Sequence, residues 1–149
     1  MYLRSKDIET LSLHIDGQSR PAGTGTYFDS VDPYTGDVWS RVPCATADDV
    51  DQAVRAAHRA FQSGPWAEMT PTRRGRLLHR LGDLMVAHAE KLGELEVRDN
   101  GKLLAEMLGQ MRYLPEWFYY YGGLADKIEG SLTPAERPGM MHYIRYEPI

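Results

Sequence analysis

Thr46-Ala47-Asp48-Asp49-Val50-Asp51-Gln52-Ala53-Val54-Arg55-Ala56-Ala57-His58-Arg59-Ala60-Phe61 is where the chain changes its period. Val50, Ala53, Val54, Ala57 and Phe61 recur at three- and four-residue intervals, which places them on one stripe of an α-helix. Thr46-x-x-Asp49 has the spacing of a capping box, with Asp in place of the more usual Glu. Asp48, Asp49 and Asp51 set negative charge at the positive end of the helix dipole, and Gly64-Pro65 stops the pattern. Everything upstream of Ala47 reads as strand and turn, and most of the chain beyond Gly64-Pro65 reads as helix.

Upstream, Leu11, Leu13 and Ile15 alternate with Ser12 and His14 and stop at Asp16-Gly17, a hairpin-turn dipeptide. Tyr27 to Val31 and Asp37 to Val42 flank Asp32-Pro33-Tyr34-Thr35-Gly36. There proline presets φ and glycine can leave the turn at positive φ, so a second hairpin is expected. Downstream, Thr70-Pro71 marks an N-cap followed by proline at the first helical position. Leu77, Leu78, Leu81, Leu84, Met85 and His88 are the expected buried face of this helix, with Arg73, Arg74, Arg76 and Arg80 solvated. A further helical stretch carrying Leu92 and Leu95 is expected to run to Asn100-Gly101, whose glycine suits a left-handed cap. The next pattern uses Leu104, Met107, Leu108, Met111, Leu114 and Phe118, with a kink or restart expected at Pro115. The dense run Trp117-Phe118-Tyr119-Tyr120-Tyr121 leads into Gly122-Gly123, and Met141 to Tyr146 alternates like a strand.

A length of 149 residues allows one domain or a part of something larger. With 42% hydrophobic and 26% charged residues the composition is that of a packed globular chain, not a disordered or repetitive one. The net charge of -4 argues against nucleic acid as a partner. The single cysteine excludes an internal disulfide framework, and no apolar run reaches signal-peptide or membrane-span length, so a cytoplasmic protein that does not engage membranes is expected.

Little in the residues carries chemistry. Gly23-x-Gly25 lacks a third glycine and opens no helix, so it is no dinucleotide loop. His88-Ala89-Glu90 has Leu92 where a zincin would place its second histidine. Cys44, in Val42-Pro43-Cys44-Ala45, is either a nucleophile beside a helix start or a small buried hydrophobe, and no histidine close in sequence supports the first. The aromatic run either packs between helices or shapes an apolar pocket. Asp99 sits at the negative end of a helix and needs a compensating partner, a basic side chain or a bound cation. From the residues alone the chain is an α+β-looking piece without an assembled active site.

Six motifs in order carry a resemblance. They are Asp32-Pro33-Tyr34-Thr35-Gly36-Asp37; Asp48-Asp49-Val50-Asp51-Gln52-Ala53-Val54-Arg55-Ala56-Ala57 with Phe61; Thr70-Pro71-Thr72-Arg73-Arg74-Gly75-Arg76-Leu77-Leu78; Asp99-Asn100-Gly101-Lys102; Tyr120-Tyr121-Gly122-Gly123-Leu124-Ala125-Asp126-Lys127-Ile128-Glu129-Gly130; and Arg145-Tyr146-Glu147-Pro148-Ile149. Together they resemble the N-terminal region of the NAD(P)-dependent aldehyde dehydrogenases, over nearly the whole chain from about Leu13.

The resemblance implies an α/β fold with hairpins over residues 1–45 and, over 46–130, helices that cover an incomplete Rossmann-like cofactor domain. Residues 140–149 would be the first strand into an oligomerisation arm. It implies a portion of an enzyme that oxidises aldehydes to carboxylic acids with NAD or NADP, expected to be inactive by itself and to form a homo-oligomer when complete. The family's nucleotide-binding loop, catalytic glutamate and nucleophilic cysteine lie beyond its last motif here, so no catalytic or cofactor-binding residue is assigned, and Cys44 matches a position usually held by a small residue. Two carry-overs remain. Some members hold a structural monovalent cation, at positions that map onto Ser30, Val31 and Asp99, and the helix lining the aldehyde entry tunnel maps onto Gly109 and Tyr113. A truncated relative docking onto a full-length protomer as a binding or regulatory subunit is the alternative, and a helical interaction module unrelated to catalysis a third reading.

Overall fold

The computed structural model describes residues 8–147, so the last two residues of the closing Glu-Pro-x motif, Pro148 and Ile149, lie outside it. Seven short strands and four helices succeed one another as β1 (Glu9–Thr10), β2 (Leu13–Ile15), β3 (Gln18–Arg20), β4 (Tyr27–Val31), β5 (Val38–Pro43), α1 (Ala47–Ser63), α2 (Pro65–Glu68), α3 (Pro71–Asn100), α4 (Leu104–Leu124), β6 (Leu132–Thr133) and β7 (His142–Tyr143).

Both expected hairpins form. β2 and β3 pair antiparallel around Asp16 (φ 55°) and Gly17 (φ 74°), the two consecutive positive φ values that a tight hairpin turn demands. β4 and β5 pair antiparallel with Ser30 opposite Ser40 and a register irregularity beyond Ser30. In their turn Asp32 Oδ1 accepts from the backbone of Tyr34 at 2.9 Å, and Gly36 takes φ 75°. β1 has no counterpart in the sequence pattern. It pairs parallel with β5 through only two polar residues, a non-local contact that no local period announces.

The expected capping box of α1 is present. Asp49 N–H donates to Thr46 Oγ1 at 3.1 Å, and Asp49 Oδ2 accepts from Thr46 N–H at 2.9 Å. Its apolar stripe is not buried, however. Val50, Val54 and Phe61 are 54%, 60% and 50% exposed, while Asp49 and Ala56 on another face meet the β2–β3 hairpin.

Residues 71–100, expected as two helical stretches, form one 30-residue helix, about 45 Å long at 1.5 Å per residue. Thr70 caps it and Gly101 closes it at φ 75° with its N–H on Val97 O, both as expected. The face buried on α3 is corrected by the structure: Leu77, Leu81 and Leu84 are more than 40% exposed and His88 is also exposed. The seam instead runs along Gly75, Gly82, Ala89 and Gly93, with Leu78 and Met85 half-buried between them. At Gly75 the missing side chain lets the α4 backbone at Gly122 approach, while Gly82 and Gly93 make room for the Tyr119 ring and Leu108.

The three residues between α3 and α4 fold the two helices antiparallel, and this pair forms the main core. Met107 and Pro115 are fully buried in it. Pro115 causes no restart, since α4 continues from Leu104 to Leu124. Proline forfeits one backbone donor there, but its ring sits in the protein interior. The strand expected from Met141 to Tyr146 is confined to His142–Tyr143, paired antiparallel with Leu132–Thr133 in an exposed two-stranded ribbon. Among the described residues no helix is long and apolar enough to cross a membrane.

Candidate functional site

Ser30 and Asp99 are 69 residues apart in sequence, and the fold brings them into contact, with Ser30 Oγ donating to Asp99 Oδ1 at 3.1 Å. β4 supplies the serine and the last turn of α3 the aspartate. The corner is secured by Arg98, whose guanidinium lies 5.1 Å from the centroid of the buried Trp39 ring. Val31 comes next after Ser30, at the bulge, and is 45% exposed. The compensating partner of Asp99 is thus a hydroxyl, and among the described residues no basic side chain pairs with it. The two groups in contact here, a carboxylate and a hydroxyl, are oxygen donors of the kind a hard cation takes. Among the described residues no three His, Cys, Asp or Glu side chains gather as a metal-binding group.

Gly109 and Tyr113 lie on one face of α4 at i and i+4, and Trp117 and Tyr121 continue the same row. Tyr113 meets Trp117 edge-on with centroids 6.3 Å apart, and Trp117 stacks on Tyr121 at 6.4 Å. This row is open: Tyr113, Trp117 and Tyr121 are all at least half exposed, and nothing lies within 4 Å of where a Gly109 side chain would begin. Part of the aromatic run takes the packing reading. Phe118 and Tyr119 turn toward the helix pair. Tyr119 Oη donates to Asp83 Oδ1 at 3.1 Å, and its ring meets His79 edge-on. Burial, then the neighbouring Asp83 carboxylate, push the Tyr119 phenol above its ordinary pKa.

Gly23 is placed against the start of α1, a neighbourhood the sequence did not disclose, whereas nothing lies within 4 Å of where a Gly25 side chain would begin. The helix N-terminus there is already satisfied from within: Asp49 Oδ2 accepts from Gly23 N–H at 3.0 Å as well as from Thr46. The amides of Gly23 and Thr46, then the Thr46 hydroxyl, hold the Asp49 carboxyl at a pKa of about 2, with Arg20 adding a smaller share. A phosphate at this helix N-terminus would meet a fixed negative charge. Cys44 is half-buried after β5, and its backbone N–H donates to Thr26 O at 2.9 Å.

A cavity of about 440 Å³ opens where the β4–β5 turn meets the α3–α4 junction, lined by Tyr34, Thr35, Val97, Gly101, Lys102 and Leu103 among others. Sequence reasoning had no means to find it, because its walls come from segments about 60 residues apart and none carries a reactive pattern.

Chemically, the fold is an α/β assembly in which a long helical hairpin and small sheets present apolar faces outward and no set of catalytic side chains converges among the described residues. The family model described as "Aldehyde dehydrogenase family" matches residues 20–149. The chain is 39% identical over 142 residues to (Z)-2-((N-methylformamido)methylene)-5-hydroxybutyrolactone dehydrogenase of Acinetobacter baylyi, covering 95% of this chain and 29% of that protein. It is 38% identical over 146 residues to the mitochondrial aldehyde dehydrogenase family 2 member B4 of Arabidopsis thaliana, covering 97% and 27% respectively. The NAD+ complex of aldehyde dehydrogenase from Bacillus cereus superposes with a TM-score of 0.87 at 39% identity, over 94% of this chain and 28% of that one. The chain belongs to the aldehyde dehydrogenase family, and spans somewhat over a quarter of the length of these relatives.

Proposed function

We propose that this chain is the N-terminal, non-catalytic portion of an enzyme that oxidises aldehydes to carboxylic acids with NAD or NADP. The single observation that carries this reading is the family match over residues 20–149 at roughly a quarter of the relatives' length. The outward apolar faces of α1 and α3 support it, because the family fold places a cofactor-domain sheet beside helices of this kind.

In the intact enzyme NAD or NADP would supply the hydride acceptor for aldehyde oxidation, and the described residues would not take part in that chemistry. Their contribution is scaffold. The α3–α4 hairpin supports the apolar faces, and the β6–β7 ribbon leads into the oligomerisation arm of a cytoplasmic homo-oligomer. The open row of Gly109 and Tyr113, extended by Trp117 and Tyr121, forms one wall of the aldehyde entry tunnel. Ser30, Val31 and Asp99 hold a structural monovalent cation through oxygen ligands.

The test is aldehyde-dependent formation of reduced cofactor by the purified chain, alone and after co-expression with the remaining part of an aldehyde dehydrogenase. Activity only in the second case is expected. Turnover by the chain alone overturns the reading.

A further inference from the structure

The cavity of about 440 Å³ between the β4–β5 turn and the α3–α4 junction has no role in the function proposed above. Its size falls within the roughly 300–1,000 Å³ of clefts that take small organic ligands. Both of its walls are fixed by hydrogen bonds to the backbone. On one side Asp32 N–H donates to Asp37 O at 2.9 Å and Gly36 N–H to Asp32 O at 2.8 Å, which holds Tyr34 and Thr35 in a closed turn. On the other, Gly101 N–H donates to Val97 O at 2.8 Å and Lys102 N–H to Asn100 Oδ1 at 2.9 Å, which sets the path of the chain from α3 into Leu103 and Leu104. The walls meet where Pro33 packs on Gly101, since a side chain on that glycine would begin 3.0 Å from the Pro33 Cβ. The cleft is thus formed before anything enters it.

We propose that this cleft binds a small amphipathic carboxylate, an aliphatic or aromatic acid whose apolar body lies against Tyr34, Val97, Leu103 and Leu104 and whose carboxylate pairs with Lys102. Tyr34 is 87% and Leu103 68% exposed, apolar surface that such a ligand takes from water. Among the described residues Lys102 is the one charged side chain lining the cleft, and no carboxylate pairs with its ammonium. The acids nearest to it in sequence are engaged elsewhere: Asp99 accepts from Ser30, and Glu96 accepts from Asn100 Nδ2 at 2.9 Å. The Thr35 hydroxyl accepts from Asp37 N–H at 3.2 Å and keeps its own proton to donate. A single cation and a single hydroxyl donor beside apolar walls match a monoanion with an apolar body, whereas a phosphate dianion would leave one charge unmatched. The acids formed in the reaction proposed above belong to this class; that link alone rests on the aldehyde-oxidising reading, and the binding does not.

The test titrates the chain with octanoate, octan-1-ol and octylammonium, each below its aggregation concentration, and follows backbone amide shifts by NMR. Octanoate should move residues 34–35 and 101–104 and bind about tenfold more tightly than octan-1-ol, with octylammonium weaker still. Lys102→Met, which keeps an apolar stem at an exposed site, should weaken octanoate about tenfold and leave octan-1-ol unchanged. Leu103→Ser, also at an exposed site, should weaken both. The inference falls if Lys102→Met binds octanoate as the wild-type chain does, or if the shifts centre on the outward rows of α1 and α3. It falls too if binding by the chain is lost on co-expression with the remaining part of an aldehyde dehydrogenase, which would make the cleft a contact between the two portions. Turnover of aldehyde by the chain alone would overturn the proposed function and leave this inference standing.

Discussion

Replacing Gly75 by alanine should destabilise the chain, although the same change on an open helix surface stabilises it. Alanine exceeds glycine in helix propensity by about 1 kcal/mol, and both Gly75 in α3 and Gly109 in α4 stand inside helices. At Gly109 nothing lies within 4 Å of the added methyl, so Gly109→Ala should retain most of that gain. At Gly75 the methyl would sit 3.3 Å from both the Ala125 Cβ and the Gly122 carbonyl carbon, and closer still to the Gly122 carbonyl oxygen, inside any distance that real Cβ atoms adopt. That oxygen is backbone and has no rotamer to escape into. The approach is reciprocal, since a methyl on Gly122 would lie 2.9 Å from Gly75 O. Overpacking costs about 1–3 kcal/mol, and a rigid contact belongs at the upper end, so after the propensity gain Gly75→Ala should lose about 1–2 kcal/mol. Urea unfolding monitored by circular dichroism reads this directly. With a slope of about 1–3 kcal/mol per molar for a small protein, the Gly75→Ala midpoint should fall by about 0.5–1 M while that of Gly109→Ala rises. A rise at Gly75 matching that at Gly109 would refute the close-packed glycine seam and the arrangement of α3 against α4 built on it.

The seam also predicts which large side chains matter. Met107→Ala removes a fully buried side chain and should cost about 2–5 kcal/mol in the same assay, whereas Leu81→Ala, at a site 41% exposed, should stay within about 1 kcal/mol. Asp49 makes the junction of α1 with the Gly23 loop acid-sensitive. Its carboxyl is held at about 2, below the ordinary 3.8, so the unfolded chain takes up the proton first. The stabilisation is therefore complete above about pH 4 and lost as the pH falls through 2, and Asp49→Asn should flatten this dependence in amide hydrogen exchange of α1. The outward rows Val50, Val54, Phe61 and Leu77, Leu81, Leu84 should bind an apolar fluorescent dye, with emission falling when Leu77, Leu81 and Leu84 are all changed to serine.

Local features of the fold were legible before any tertiary contact was known. The Asp16-Gly17 turn, the Thr46–Asp49 capping box, Thr70-Pro71 and the left-handed Gly101 are each settled within a few residues, by φ preference or by the reach of one side chain. Family membership was legible in the same way, because it lies in the order of short motifs. The candidate site was half legible. The misplaced charge of Asp99 announced a partner, and the family resemblance pointed to Ser30.

Burial was decided by tertiary structure, as a helical period states which residues share a face and leaves open what that face meets. Leu77, Leu81 and Leu84 make a more apolar stripe than Gly75, Gly82, Ala89 and Gly93, yet α4 packs on the small residues, where backbones can approach. Pro115 breaks a helix in isolation and is accommodated here in the interior of the pair. Ser40 is an ordinary strand residue in the sequence. Only the pairing of β4 with β5 sets it across from Ser30 and buries its hydroxyl without a partner among the described residues, since hydrogen-bond satisfaction depends on what surrounds a group in space.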